Sequence, residues 1–224
     1  YFFNDKTSIK SSLSFSGKTS TNKGFELGPN QVDFRLQGIS IIDNYAIQFQ
    51  TAVNKKINAK HTVTTGVFID QLYYNMDISG YEVSVDGQRT FIAGDGNTTS
   101  SRVYANWNYD PHPNWKIVTG LHYSLFHLNN QQAIDPRLGI NWKFTDQQKL
   151  SIGYGKHSRR ENLSTYLVEI PQADATTSAI NEKVDFQKAH HFVLGHEVYL
   201  RDDFRIMTEV YYQHLYDMLI EDQP

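Results

Sequence analysis

Between Asp135 and His157 the chain reads DPRLGINWKFTDQQKLSIGYGKH, and its apolar residues fall on alternate positions. Leu138, Ile140, Trp142 and Phe144 alternate with Arg137, Gly139, Asn141 and Lys143. After Thr145-Asp146-Gln147-Gln148 the alternation resumes, with Leu150, Ile152 and Tyr154 against Ser151, Gly153 and Gly155. A period of two puts every apolar side chain on one face of an extended strand, which no helix can do. Two such arms around a polar turn make a hairpin with one apolar face and one polar face.

The same pattern recurs along the chain. Ile9, Leu13 and Phe15 stand against Lys10, Ser12, Ser14 and Ser16, and Tyr45, Ile47, Phe49, Thr51 and Val53 against Gln48, Gln50 and Asn54. Val103, Ala105, Trp107 and Tyr109 alternate with Arg102, Tyr104, Asn106 and Asn108. Trp115, Ile117, Thr119, Leu121, Tyr123 and Leu125 carry a further strand, and residues 190–200 and 204–216 form the last hairpin around Arg201-Asp202-Asp203. Residues 62–76 are mixed, with apolar side chains on both faces. Nine clear strands are expected in all, too much sheet to stay flat without closing or splitting.

The connections sort by length. Short ones are expected near 58–60, 110–114 (with two prolines that cannot donate to a ladder), 145–148 and 201–203. Longer ones are expected near 18–40, 77–100, 128–135 and 158–188, with residues 31–42 as a strand-like extension within a loop. A meander that turns tightly at one end and loosely at the other describes a transmembrane barrel, whose short turns are periplasmic and whose long loops are external.

Composition allows this. The mean hydropathy of -0.52 is low, and no stretch approaches the ~18 apolar residues of a membrane-crossing helix. A barrel strand is apolar on only one face, so a polar average excludes helical spans and not barrels. Aromatic residues make up 13% of the 224, as expected where rings line an interface. Trp107, Tyr109 and Trp115 flank the prolyl turn as such a girdle would. The absence of cysteine removes disulfides, thiolate metal sites and thiol catalysis. A net charge of -3 argues against a nucleic-acid partner.

Three stretches carry a family resemblance. DPRLGINWKFTDQQKLSIGYGKHSRRENLSTYL resembles a segment of TonB-dependent outer-membrane receptors that runs proline-arginine, strand, turn, strand, glycine-rich tip. AHHFVLGHEVYLRDDFRIMTEVYYQHLYDMLIE is similar to a later hairpin of those receptors, through His191, Gly195, Glu209, Tyr212 and Gln213 with Tyr211 beside them. KKINAKHTVTTGV resembles an earlier turn. Together they cover under half of the chain, in the family's order. The resemblance implies a large barrel of the plugged class that reaches 22 strands, in the outer membrane of a Gram-negative bacterium. It further implies uptake of a scarce nutrient such as an iron chelate, vitamin, glycan or peptide, energised by an inner-membrane complex acting on a plug domain. A surface lipoprotein is an implied partner. Residues 1–224 are expected to be one all-β unit, an antiparallel up-and-down segment of about nine or ten strands. The odd strand count, a start at Tyr1 and an end at Ile-Glu-Asp-Gln-Pro lead to the expectation of an internal section, with the plug and the C-terminal strands outside it.

Candidate chemistry is sparse. Lys156-His157-Ser158-Arg159-Arg160 leaves the second arm of the 135–157 hairpin for its long loop, and Arg159 and Arg160 are candidate ligands for an anionic or carboxylate group at the outer rim. The ordinary reading is a solvated loop or contact with anionic lipid headgroups. Glu197 and Glu209 share the polar face as diagonal cross-strand neighbours, about 7–8 Å apart. Such a pair can do acid–base work, although a hydrated wall shared with Arg205 and Gln213 is the ordinary reading. His190, His191, His196 and Glu197 cluster in sequence, but His190 and His191 point to opposite faces and no zinc spacing is present. No metal or cofactor is expected. Gly153-Tyr154-Gly155 precedes no helix and is not a phosphate loop, and no Gly-x-Ser-x-Gly elbow occurs. Asp86-Gly87 and Asp95-Gly96 do not match a calcium loop and read as turns.

The expected function is therefore energy-coupled ligand uptake through a barrel lumen, without bond-breaking chemistry. The alternatives are a soluble β-sandwich or calyx that binds a ligand, and an outer-membrane barrel hydrolase using Glu197 or a loop residue. The side to which the apolar parity turns separates the membrane reading from the soluble one.

Overall fold

Backbone pairing across short turns organises the structure, a computed structural model describing residues 1–27, 32–82, 87–171, 177–201 and 203–220. The strands are β1 (Phe2–Asn4), β2 (Thr7–Leu27), β3 (Phe34–Lys56), β4 (His61–Glu82), β5 (Gly87–His112), β6 (Trp115–Phe126), β7 (Gln131–Thr145) and β8 (Gln148–Arg159). A short helix α1 (Leu163–Tyr166) and a small ribbon, β9 (Glu169–Pro171) with β10 (Thr177–Ala179), precede β11 (Gln187–Arg201) and β12 (Phe204–Tyr216). Ten strands form one sheet in the order β1-β2-β3-β4-β5-β6-β7-β8-β11-β12, each antiparallel to its neighbours. The sheet is open, with β1 and β12 at its edges.

Several expected loops are strands. Residues 18–27 continue β2, residues 34–42 open β3, and residues 77–82 and 87–100 belong to β4 and β5. The stretch at 31–42 is thus no extension within a loop: from Phe34 it pairs with β2, and from Gly38 with β4 as well. Polar stretches such as Thr19-Ser20-Thr21-Asn22 read as loop because their side chains carry no alternation of hydropathy. Backbone pairing does not depend on it. Asp95-Gly96, expected as a turn, pairs with Asn75 and Tyr74 inside the β4–β5 ladder, while Asp86 lies outside the described residues. Residues 131–135, expected in a connection, begin β7, and β5 runs through Pro111 to His112 with a register shift at that proline. Strands β2 to β5 are 21, 23, 22 and 26 residues long. Crossing a bilayer takes ~9–11, so these strands project well beyond a hydrocarbon layer on the long-connection side.

The two faces invert the usual rule of apolar inside. Ile152, Leu194 and Phe192 are 47%, 50% and 47% exposed, and Leu138, Leu121, Val103 and Ile134 are exposed on the same face. No second sheet covers them among the described residues, which removes the sandwich reading. The opposite parity holds the buried side chains: Phe126 at 0%, with Leu72, Met76, Ala133, Leu163, Tyr166 and Phe186 around it. Rings gather beside the short turns on the outward face. Trp115 stacks on Trp142 at 5.1 Å, and His61 stacks on Trp107 at 5.6 Å and on Tyr109 at 4.6 Å. The Trp107 indole N–H donates to His61 Nδ1 at 3.1 Å.

At Gly66 packing leaves no room for a side chain. A Cβ at Gly66 would run into the Tyr104 ring, which is stacked between Phe68 and His122. Gly66→Ala is expected to lower unfolding stability by about 1–3 kcal/mol, measured as a shift of the urea midpoint of the refolded protein. An unchanged midpoint would show that the stack yields freely.

Candidate ligand site on the polar face

A break in the β7–β8 ladder positions this site. Pairing of β7 with β8 stops at Arg137↔Gly155, one residue from Pro136, which has no N–H to offer. Above that point β8 pairs only with β11. The Asp135 carboxylate takes over the freed groups, accepting from the Ser158 backbone N–H at 3.1 Å and from its hydroxyl at 2.6 Å. Beyond Arg159 the chain turns onto the polar face instead of away from the sheet. There α1 places Leu163 and Tyr166 against Phe126, with ring centroids of Tyr166 and Phe126 5.3 Å apart. Val168 bridges to Ile92 on β5. Asn129 Nδ2 donates to the carbonyls of Glu182 and Val184, at 3.2 and 2.9 Å, and fixes the returning limb.

This infolded segment closes a recess of about 300 Å³ whose walls include Arg102, Arg159, Arg160, Asp70, Ser100 and Ser124. Arg160 lies over the Phe126 ring, its Cζ 5.4 Å from the centroid, and donates to the Glu161 carbonyl at 3.0 Å. Burial pulls its pKa below the usual arginine value, Tyr166 and Asp70 oppose this, and Arg102 and Arg159 add to it. It stays charged at any working pH. Arg102 lies over Phe68 at 4.9 Å and reaches Asp70 only at 3.4 Å. Three guanidinium groups thus face two carboxylates, and one of these, Glu161, is bonded to Gln187. Arg160 and Asn162 also border a second recess of about 540 Å³ that runs to Lys18 and Asn44. The arrangement favours an anionic or carboxylated group, held by planar donors with serine hydroxyls beside them.

Below the recess a transverse band crosses the polar face, invisible in the sequence because its members lie on different strands. Phe68, Tyr104 and His122 stack at 5.8 and 5.2 Å. Arg137 meets His157 at 3.4 Å, His157 meets His191 edge to face at 4.8 Å, and Gln213 reaches His191 at 3.1 Å. Nε2 of His122 and Nε of Arg137 are buried without a hydrogen-bond partner. The only sequence signal was shared parity, which marks a face and not a neighbourhood.

The four expected site residues fall into two groups. Arg159 and Arg160 border the recess at the long-connection end. Glu197 lies ten positions along β11 from Gln187, the register partner of Arg159, or roughly 33 Å away. There Glu197 is 6% exposed and accepts from Lys149 at 2.9 Å, with Arg205 at 3.5 Å. Glu209 pairs with Gly195, diagonal to Glu197. Among the described residues, no group of three or more metal-ligating side chains is gathered.

A family model described as "TonB dependent receptor-like, beta-barrel" matches residues 1–224. Among curated protein sequences none matches. Among solved structures, the copper transporter OprC is 11% identical with a TM-score of 0.69, covering 94% of this chain and 36% of its own. The siderophore receptor PiuA from Acinetobacter baumannii is 15% identical with a TM-score of 0.62, over 93% of this chain and 38% of its own. The RagAB peptide importer gives 12% identity and a TM-score of 0.63, over 96% and 29%. The chain spans about a third of the length of these three structures. At these identities the likeness is one of fold.

Proposed function

Because the chain belongs to the family of TonB-dependent receptor β-barrels, whose structural neighbours are outer-membrane proteins of Gram-negative bacteria, we propose that it forms part of the wall of an outer-membrane receptor that takes up a scarce nutrient through its lumen. The observation that carries this reading is the exposed apolar face set against a polar face that holds an infolded, arginine-bearing segment. An exposed apolar face suits lipid, and a polar face suits a water-filled lumen. Further strands and a plug domain would complete the barrel, and an inner-membrane complex would supply the energy. A surface lipoprotein is a candidate partner.

The ligand class follows from the recess: an iron chelate, vitamin, glycan or peptide that presents an anionic group to Arg159 and Arg160. Glu197, held by Lys149 and Arg205, and Glu209 would line the ligand's exit toward the periplasm. No bond-breaking step is needed for this work.

The full-length receptor is expected to need detergent and to migrate differently on gels before and after boiling, and a detergent-free monomer would overturn the membrane reading. A strain lacking the receptor should lose uptake of one member of a panel of ferric chelates, vitamins, oligosaccharides and peptides. Restoring it with an Arg159→Gln/Arg160→Gln variant should recover no more than about a tenth of the uptake rate, since a charge-assisted hydrogen bond is worth ~1.5–3 kcal/mol. Full recovery would remove the arginines from ligand contact.

A further inference from the structure

The outward face carries a chemistry that a merely lipid-facing wall does not require. At the long-connection end of β8, β11 and β12, the registers Lys156↔His190 and His190↔His214 set a lysine and two imidazoles side by side across three neighbouring strands. The next outward row toward the short turns is Tyr154, Phe192 and Tyr212, and the one after it is Ile152, Leu194 and Val210. An apolar row, an aromatic row and a row of one ammonium and two imidazoles therefore succeed one another along the same face.

The upper rows are built, and not merely adjacent. The Tyr154 hydroxyl lies 3.0 Å from His190 Nδ1. With the phenol donating, His190 keeps its proton on Nε2, where it remains a donor. Tyr216 stacks on both imidazoles, at 5.1 Å from His190 and 5.8 Å from His214. Tyr154, His190, Phe192, Tyr212 and His214 enclose an open shelf of about 580 Å³. Charge decides which cation is free. Lys188, nearer the connections, is held by Asp185 at 2.6 Å and Asp217 at 2.9 Å. Lys156 has no carboxylate partner among the described residues.

Height places the row at an interface. Leu200, exposed and apolar, lies ten positions below His190 on β11. That is roughly 33 Å along the strand, or about 25 Å along the axis of a barrel whose strands tilt by ~40°. The apolar band thus ends where the row of Lys156, His190 and His214 begins. The longest connection, between Arg159 and Gln187, leaves from this end, and the longer loops of such barrels are external, so the row faces the outer leaflet.

We propose that Lys156, His190 and His214 bind the phosphate of a phosphate-bearing lipid of the outer leaflet, with the Tyr154–Phe192–Tyr212 shelf under its acyl chains. The complement of an unpaired ammonium and imidazole donors above rings and aliphatic side chains is an amphiphile with an anionic head. The proposal rests on the apolar face being lipid-facing.

The test is native mass spectrometry of the detergent-solubilised full-length receptor, titrated with diphosphoryl lipid A, its dephosphorylated form and phosphatidylcholine. The wild type is expected to retain the diphosphoryl form best. Lys156→Gln should weaken that binding about fivefold, the worth of one surface cation near an anionic headgroup. Lys156→Gln/His190→Gln/His214→Gln should weaken it more than about tenfold, with heat-modifiable mobility retained, while Lys116→Gln on the polar face leaves it unchanged. Unchanged affinity in the triple variant, or equal retention of phosphorylated and dephosphorylated lipid, overturns the proposal. So does a wild-type dimer that the triple variant dissolves without loss of lipid, which would assign the shelf to a second copy. A wild-type receptor without the mobility shift overturns the membrane reading itself, and the lipid site with it.

Discussion

Leu194→Arg is expected to destabilise the barrel by about 2–4 kcal/mol, while the same substitution one residue earlier, at Val193, costs no more than about 0.5 kcal/mol. The two residues are neighbours on β11 and both are aliphatic, so hydropathy of the site alone does not separate them. Leu194 stands between Ile152 and Val210 on the outward face, where an arginine would have to sit in hydrocarbon near the middle of the apolar band. Val193 stands between Gly153 and Tyr211 on the polar face, where a guanidinium meets water. Glycine at 153 leaves room beside it. Equilibrium unfolding in urea of the full-length receptor, refolded into phosphatidylcholine vesicles, reads both. Equal costs at the two positions, or a larger one at Val193, would mean that the outward face does not meet lipid.

Phe126→Ala is expected to free the infolded segment between β8 and β11. Phe126 is the largest fully buried side chain among the described residues, and it lies under both Tyr166 and Arg160. Removing a buried phenylalanine costs about 3–5 kcal/mol, and here the loss falls on a segment attached at its two ends and packed through few side chains. Local opening then precedes global unfolding. The measurement is limited trypsin digestion, with cleavage after Lys183 followed by mass spectrometry. Cleavage should accelerate more than about tenfold. Leu121→Ala, on the same strand but exposed on the outward face, should leave the rate near wild type. Identical rates for Phe126→Ala and wild type would show that the segment is held elsewhere. Uptake by the variant then reports on Arg160, which loses the ring beneath it.

The strands were legible wherever side chains alternate. The 135–157 hairpin, the Trp115–Phe126 strand and the 190–216 pair stand close to where the alternation put them, because each face of a strand meets one environment. The polar halves of β2 to β5 were not legible. Thr19 to Asn22 and Gly94 to Thr98 carry no alternation of hydropathy, and what holds them is backbone pairing with an equally long neighbour. Among the site residues, Arg159 and Arg160 were recognisable as a charged exit from a strand. Arg102 was assigned only to a polar parity, and its place beside Arg160 comes from an infold that leaves no periodic trace. Glu197 and Glu209 were correctly placed on one face, yet Lys149, a strand away, takes up Glu197.

By itself the sequence determined the up-and-down meander: short turns force neighbouring segments to pair, and a period of two divides each strand into an apolar and a polar face. Both are local, nearest-neighbour consequences of the chain. Only the tertiary structure decided what those faces mean. The apolar side chains remain uncovered while residues 160–168 and 184–186 settle on the polar side, because Pro136 ends one ladder and Phe126, Leu163, Tyr166 and Phe186 bury one another there. Which donors gather, at the recess and along the outward row of Lys156, His190 and His214, depends on register across three or more strands. That is a property of the assembled sheet, and no single stretch of sequence contains it.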